Sequence, residues 1–516
     1  MSRISLLSSL SPLDQELFYT YGIGPPHSVD IPIIHHAFEK QVRERPDAIA
    51  VEDHSCNQTL TYRALESHSN RLAHVLRSQG TVPGKRICIL ARRSLELIIG
   101  IVGVLKSGAQ YVPIDAQTIT DETLRYVLQD CQPNLVLVMS EYAYRVDSAP
   151  FIILESLFRP YQTSNVEVLP VQDLSSPEDG AYAIYTSGTT GRPKGIDITH
   201  KSATNVLSCG PGKSGLAPRM RVAQLANIAF DMAAWDILGS LYHGCTLCLR
   251  GNTSKEWTAL LKGVHMFIAT PSMLLRHEPE DYPSLTHVVV GGEHCPQSLA
   301  DKWARYVEFS NCCGPSEVTI FNSIQKHTLG QSISIGKPIP NTNVYILDPD
   351  DGMPVSIGEA GCMWVGGMGI SKGYLNLPDK TAARWQRDPF VEGGGMMFNT
   401  GDLGRWRDDG QLDHLGRVDD QVKVKGFRVE LDGVSATMQT LPAVHNAVAL
   451  LIDSEIWGFV TPESVNLDLL RDTVAQSQPP YAVPKHYYAL DDFPLTRNGK
   501  VDKRVLRSLV EGKGRN

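Results

Sequence analysis

From about residue 34 the chain alternates helix-like and strand-like segments, and that rhythm constrains its fold more than any other feature. His36 to Arg45 is amphipathic, and Ala48-Ile-Ala-Val51 reads as a short strand. Tyr62 to Gln79 has helical spacing, Arg86 to Leu90 is strand-like, and Ser94 to Lys106 is a mostly apolar helix ending at Gly108. Tyr111 to Ile114, Leu124 to Asp130 and Leu135 to Val138 continue as strand, helix and strand. Strands separated by helices pair in parallel, so the expected class is α/β with largely parallel sheets. Strand-like runs return at Val222 to Leu225, Met266 to Ala269 and Leu285 to Val290, and Phe309 leads into a turn at Cys313-Gly-Pro315. Residues 336–418 are richer in glycine and short strand patterns, which suggests a β-rich subdomain. The alternating run Gln421-Val-Lys-Val-Lys425 opens a separate C-terminal unit of about a hundred residues. Residues 1–30 are turn-rich and weakly patterned, and read as a linker or extended arm.

In doubly wound sheets ligands sit beyond the carboxyl ends of the strands. Three such ends, after Tyr185, Val290 and Ser310, carry glycine-rich or polar segments and are expected to converge on one site. The first is the most telling. The apolar run Ala181-Tyr-Ala-Ile-Tyr185 empties into Thr186-Ser-Gly-Thr-Thr-Gly-Arg-Pro-Lys-Gly195. Glycines let backbone N–H groups approach anionic oxygens, hydroxyls add donors, and Arg192 and Lys194 add positive charge. ATP or a similar anion is the implied ligand. The loop is not a Walker A motif, and the nearest decoy, Leu207-Ser-Cys-Gly-Pro-Gly-Lys-Ser214, has leucine where the first glycine belongs and reads as a surface turn.

The net charge of −8 gives no reason to expect nucleic-acid or anionic-membrane binding. The longest apolar run, around Leu97 to Leu105, is too short and glycine-broken for a membrane span, and no secretion signal opens the chain. The ten cysteines sit mostly in apolar settings. Cys245-Thr-Leu-Cys248 has no second pair at zinc spacing, so buried thiols and a reducing, cytoplasmic compartment are expected. The adjacent His35-His36 opens a helix-like run and carries no evident metal or catalytic role.

Ten segments, in order from Leu60 to Lys503, resemble the adenylation domains of non-ribosomal peptide synthetases, within the adenylate-forming superfamily. They are Leu60-Thr-Tyr-Arg-Ala-Leu65, Leu105-Lys-Ser-Gly-Ala-Gln-Tyr-Val-Pro-Ile-Asp115, the Thr186–Gly195 loop, Phe230-Asp-Met-Ala233 and Asn311-Cys-Cys-Gly-Pro-Ser-Glu317. There follow Gly366-Gly-Met-Gly-Ile-Ser-Lys-Gly-Tyr-Leu375, Asn399-Thr-Gly-Asp-Leu403, the run from Gly416 to Leu431, Pro480-Tyr-Ala-Val-Pro484 and Asn498-Gly-Lys-Val-Asp-Lys503. The resemblance implies that a carboxylate and ATP give an acyl-adenylate and pyrophosphate, and that the acyl group then passes to the phosphopantetheine thiol of a carrier domain. It implies a division into an arm (1–30), a large domain (31–418) and a small α+β lid (419–516) that turns about Asp419. It places Thr186, Ser187, Gly188, Thr189, Thr190, Gly191 and Lys194 on the β- and γ-phosphates, with Lys500, Thr190 and Glu317 as the catalytic set and Glu317 helping to hold Mg²⁺. Asp402 matches the acceptor of the ribose hydroxyls, Arg417 the arginine near ribose and phosphates, and Lys500 the lysine that bridges the substrate carboxylate and the α-phosphate. Cys313 stands where the family usually stacks an aromatic residue on adenine, and Ser316 replaces the usual threonine.

By the same resemblance Asp231 matches the residue that pairs with the α-ammonium of an amino-acid substrate. Met232, Trp235, Ala269, Val289, Gly291, Cys312, Ile320 and Phe321 would line the rest of the pocket. The set is apolar, and the small Ala269 and Gly291 are expected to leave volume for a bulky side chain that is neutral overall. One candidate is an N-acylated, hydroxylated ornithine of the kind built into fungal hydroxamate siderophores. The sequence holds no carrier or condensation signature, so a domain cut from a larger synthetase is expected, with carrier and condensation domains as partners and a free-standing enzyme as the runner-up. Two rival readings stay open: an acyl- or aryl-CoA ligase using free coenzyme A, against which Asp231 argues, and a degenerate nucleotide-binding module, which only Cys313 supports.

Overall fold

The computed structural model describes residues 6–158, 168–188, 191–209, 215–251, 253–393, 395–419, 421–424, 426–495 and 501–511. The chain divides into two compact units, one of residues 1–117, 130–184 and 195–418, the other of 118–129, 185–194 and 419–516.

Two mostly parallel sheets dominate the first unit. The larger has nine strands, and its centre runs Glu308–Cys313, His287–Gly291, Met266–Ala269, Arg221–Gln224, Thr246–Leu249 and Ile49–Asp53, all parallel. Antiparallel strands, Ser323–His327 with Lys337–Pro338 on one side and Gln58–Thr61 on the other, close its edges. The second sheet runs Phe151–Ile153, Leu135–Val138, Arg86–Ala91, Gln110–Asp115, Gly180–Thr186 and Lys194–Thr199. The helix Leu95–Lys106 is buried along its whole length, which explains its nearly continuous apolar sequence, and Ser94 caps its first turn by accepting from Leu97 N–H. Residues 342–417 add an antiparallel sheet built around the long strand Met396–Trp406.

The expected N-terminal arm is instead a helix, Pro12–Gly22. Ser11 caps it and Pro12 opens it, a start signal hidden by the weak amphipathicity of the helix itself. Phe18 stacks 5.5 Å from Tyr345 and meets Phe390 edge-on at 5.1 Å, so one aromatic anchors a segment that periodicity does not flag. Leu207 of the Walker decoy is buried in the helix His200–Ser208 rather than in a turn, and residues 210–214 lie outside the described residues. Cys245 and Cys248 are buried, unpaired thiols. Among the described residues no helix is long and apolar enough to cross a membrane.

The second unit holds the hairpin Gln421–Val424/Phe427–Glu430, a three-stranded sheet of Asn446–Ile452, Glu455–Thr461 and His486–Ala489, and the helices Leu431–Met438 and Leu467–Ser477. Its membership differs from the expected division at 419, because residues 118–129 and 185–194 pack with it. Thr123 Oγ1 donates to Ser477 O (3.3 Å), Ser477 Oγ donates to Glu122 (2.5 Å), and Ser187 Oγ donates to Arg428 O (2.9 Å).

Candidate active site

The carboxyl ends of the two parallel sheets are joined by buried polar groups. Arg93, just past Arg86–Ala91, donates to Ala226 O at 2.8 Å and also reaches Gln224 and Leu225 O at the end of Arg221–Gln224. Asn227 donates to Asp115 Oδ2 at 2.6 Å across the same gap. Burial pulls the Arg93 guanidinium down to about 10, against the opposing pull of Asp115, Asp236 and Asp53. The two strand ends are thereby tied by charged and polar hydrogen bonds as well as by packing.

Four residues beyond this junction, Asp231 opens a helical stretch that continues through a π-helical turn, Trp235–Gly239, to Tyr242. Such turns shift the register of a helix and concentrate at functional sites. Asp231 and Met232 are half-buried, whereas Trp235 is buried and meets Phe321 edge-on at 5.3 Å. Trp235, Val289, Cys312, Ile320 and Phe321 pack as one cluster with Met232 and Cys313 against it. Ala269 instead packs with Val288 and Val290 on the opposite face of the sheet, because successive strand residues alternate faces. Gly291 leaves no open space either: a Cβ there would stand 2.6 Å from Cys312 Sγ. The expected vacancy beside these two small residues is therefore corrected; Cys312 fills one, and the other faces away from Val289.

Tyr182 was not singled out by the sequence. Its fully buried hydroxyl lacks a hydrogen-bond partner among the described residues, and its phenol is pushed up by burial, then by Tyr111 and by the charge of Asp231.

Strand Glu308–Cys313 delivers the chain to a tight turn. A Cβ on Gly314 would stand 2.3 Å from Phe321 Cα, so only glycine fits where the turn crosses itself. Ser316 begins a single 3₁₀ turn, after which Thr319 (φ 63°) and Ile320 (φ 76°) are both left-handed. A β-branched residue there costs about 1–3 kcal/mol, and such strain gathers at functional sites. Thr319 Oγ1 donates to Gly369 O at 2.6 Å and holds the turn. Glu317 is fully buried within it, and its Oε1 accepts from the Tyr374 hydroxyl at 2.8 Å. Tyr374 lies inside the quoted Gly366–Leu375 motif, but nothing in that motif distinguishes it from its neighbours.

Asp402 and Arg417 face each other across the antiparallel pair Met396–Trp406/Leu412–Arg417. Arg417 donates to Asp402 Oδ1 at 2.5 Å and to Thr400 O at 3.1 Å, and His414 Nε2 stands 3.3 Å from the same Oδ1. The Asp402 side chain is nearly buried, so the Arg417 guanidinium holds it as an acceptor, with the His414 ring beside it. His414 is the member that sequence reading missed.

In the second unit, Thr186 is buried with a hydroxyl that has no hydrogen-bond partner among the described residues. Gly191 is left-handed, and a Cβ on it would press within 3.0 Å of Thr437 Oγ1. Lys194 is buried and pairs with Glu430 at 3.6 Å, while Gln421 donates to the same Glu430 oxygen at 2.5 Å. Thr189, Thr190 and Lys500 lie outside the described residues. Asp419 Oδ1 accepts from Gln421 N–H at 3.3 Å, just past the point where the first unit ends at Val418.

The description "AMP-binding enzyme" matches residues 38–375, and the C-terminal domain of that family matches residues 435–500. The chain belongs to the AMP-binding enzyme family. It is an adenylate-forming enzyme by family. An adenylate-forming reductase of Coprinopsis cinerea is 50% identical over 98% of this chain and 49% of its own length. A linear gramicidin synthase polypeptide of Brevibacillus parabrevis is 36% identical over 92% of this chain and 10% of its own. The crystal structure of a four-domain non-ribosomal peptide synthetase bound to AMP and glycine superposes with a TM-score of 0.70 at 28% identity, covering 96% of this chain and 38% of that one. The chain thus spans about half the length of this fungal relative, and 10% and 38% of the two peptide synthetases.

Proposed function

We propose that this enzyme activates an α-amino acid as its aminoacyl-adenylate and passes the acyl group to the phosphopantetheine thiol of a carrier domain. The observation that carries the reading is Asp231, a half-buried carboxylate leading into a helix whose next residues join a buried apolar cluster. That pattern suits an α-ammonium held at one end and a neutral side chain at the other. Lys500 would hold the carboxylate end. Asp402, fixed by Arg417 and His414, suits two ribose hydroxyls, and Thr186 to Lys194 suit the β- and γ-phosphates. Magnesium is commonly held by one or two carboxylates together with substrate phosphates and water, and the single buried carboxylate of Glu317, oriented by Tyr374, fits the protein's share. Bound there, the ion would neutralise phosphate charge as pyrophosphate leaves.

With the space at Gly291 taken by Cys312, the small neutral amino acids enter the substrate panel beside the bulky ones, the N-acylated, hydroxylated ornithine included. ATP–pyrophosphate exchange across amino, aryl and fatty acids tests the reading. Exchange with an α-amino acid is expected; exchange with aryl or fatty acids alone, with product on free coenzyme A, would overturn it. Lys500→Ala should suppress adenylation while sparing thioester formation from a preformed adenylate.

A second reading concerns the fate of the acyl group. The fungal relative at 50% identity bears the name of an adenylate-forming reductase. On that likeness the carrier-bound thioester accepts a hydride and a proton, releasing the thiol and an aldehyde, instead of being condensed. Trapping aldehyde with a hydrazine in the presence of NADPH, on the full natural polypeptide, separates the two fates.

A further inference from the structure

His35 and His36 gain meaning from a residue far away in sequence. Both open the helix Ile34–Glu44, and both turn toward Asp173, in the segment that leads to the strand Gly180–Thr186. His36 Nε2 lies 2.6 Å from Asp173 Oδ2, and His35 Nε2 lies 3.4 Å from Asp173 Oδ1. The three donor atoms all fall within 4.8 Å of one another. We infer that His35 Nε2, His36 Nε2 and the Asp173 carboxylate form a site for one divalent transition-metal ion, best suited to zinc, with water as the fourth ligand.

Four observations support this. The His35 ring is only 3% exposed, yet neither of its nitrogens makes a hydrogen bond among the described residues. An imidazole buried with only a long contact of 3.4 Å to Asp173 is costly, and a metal bond would satisfy it. The spacing is close to what coordination needs: the three ligand atoms lie within 4.8 Å of one another and those around tetrahedral zinc stand about 3.3 Å apart, so His36 must withdraw from Asp173 and the set close on one carboxylate oxygen. The set offers two imidazoles and one carboxylate, a combination that suits zinc better than magnesium or calcium. The His36 and Asp173 side chains are 39% and 35% exposed, which gives an ion a path in and leaves room for water.

The surroundings fit. His200 packs its ring 5.8 Å from that of His35 and fixes its orientation from behind. Glu39, the nearby acid, is engaged by the buried Lys106. The other grouping with ligating atoms, Glu52, His54 and Cys248, differs in that Arg221 already neutralises Glu52 at 2.5 Å.

The test uses the chain without an affinity tag, stripped with chelator and titrated with Co²⁺. One equivalent is expected to bind with the intense visible band of tetrahedral cobalt, and Zn²⁺ should displace it. His36→Ala and Asp173→Asn should each abolish the band and weaken affinity by about a hundredfold, while ATP–pyrophosphate exchange is retained as evidence of folding. Substoichiometric binding without the band overturns the assignment. A band that persists in the His36→Ala/Asp173→Asn double variant overturns it too, because the ion then lies elsewhere.

Discussion

Cys313 closes the strand Glu308–Cys313 at the position where the resemblance to adenylation domains leads one to expect an aromatic residue. Its backbone is held as tightly as any strand end, with Asn322 N–H donating to its carbonyl at 2.9 Å, so the departure is confined to the half-buried side chain. A thiol offers adenine little area and no ring. Cys313→Tyr is therefore expected to lower the KM for ATP about three- to tenfold, the equivalent of about 0.5–1.5 kcal/mol of aromatic stacking, with kcat nearly unchanged. An unchanged KM would mean that another side chain already packs the base. Asp231 makes the opposite kind of prediction. Removing one charge-assisted contact worth about 1.5–3 kcal/mol should cost Asp231→Ala about 10- to 150-fold in kcat/KM for the α-amino substrate and almost nothing for its des-amino analogue. Equal losses on both would remove the argument for an amino acid. The residues behind these two predictions were legible because each sits inside a motif. Glu317 and Asp402 were legible in the same way, but their partners were not: Tyr374 and His414 are ordinary residues until tertiary contact selects them.

At the scale of elements, the central strands lie within one or two residues of where alternation and β-branched runs place them, Met266–Ala269 and Leu135–Val138 at both ends. A buried parallel strand is a short apolar run bounded by turns, and that signal is local. The failures are non-local. Helix Pro12–Gly22 exists because Phe18 finds Tyr345 and Phe390, more than three hundred residues away. The left-handed Ile320 contradicts its own preference, and the buried turn around Glu317 overrides it. The hairpin Gln421–Val424/Phe427–Glu430 carries a pairing of the same non-local kind, since buried Glu430 meets buried Lys194 of the glycine-rich segment. Breaking a buried pair leaves one charge uncompensated, so Glu430→Ala should destabilise the second unit by about 3–5 kcal/mol. A Lys194→Met/Glu430→Met double variant should recover most of that stability without recovering ATP use. Urea unfolding followed within the second unit measures the first effect, and pyrophosphate exchange the second. If the double variant were as unstable as the single one, the ion pair would not be the cause.

For the molecule as a whole, imidazoles that folding keeps neutral weaken the fold toward acid, while the buried Asp236, whose carboxyl burial raises, acts in the opposite sense. His200 is fully buried, and burial pulls its pKa down from 6.5 to about 3. His35 is lowered in the same sense, again mainly by burial. The unfolded chain takes up a proton at His200 near pH 6.5, whereas the folded chain resists until about pH 3. Between those values each step toward acid favours the unfolded state, by about 1.4 kcal/mol per pH unit for His200 alone. Asp173 works in the same direction further down. Burial alone would raise its carboxyl, but His35 and the Ser175 N–H hold it below the usual carboxylate range, so its contribution is lost as pH falls below about 4. The His200 share of the first unit's stability should thus be flat above pH 7 and fall by about 2 kcal/mol between pH 7.5 and pH 5, with a further loss from His35. Urea midpoints of the chelator-treated chain at the two pH values measure this. His200→Gln removes one titrating group and should shrink the difference between the two midpoints, even if it lowers both. An unaltered difference would mean that His200 gains its proton without cost in the fold, through water reaching the helix His200–Ser208. A bound zinc ion adds to the same dependence, because protons and metal compete for His35 and His36. Saturating zinc should raise the midpoint at pH 7.5 more than at pH 5, and His36→Ala should erase that difference while leaving the His200 slope in place.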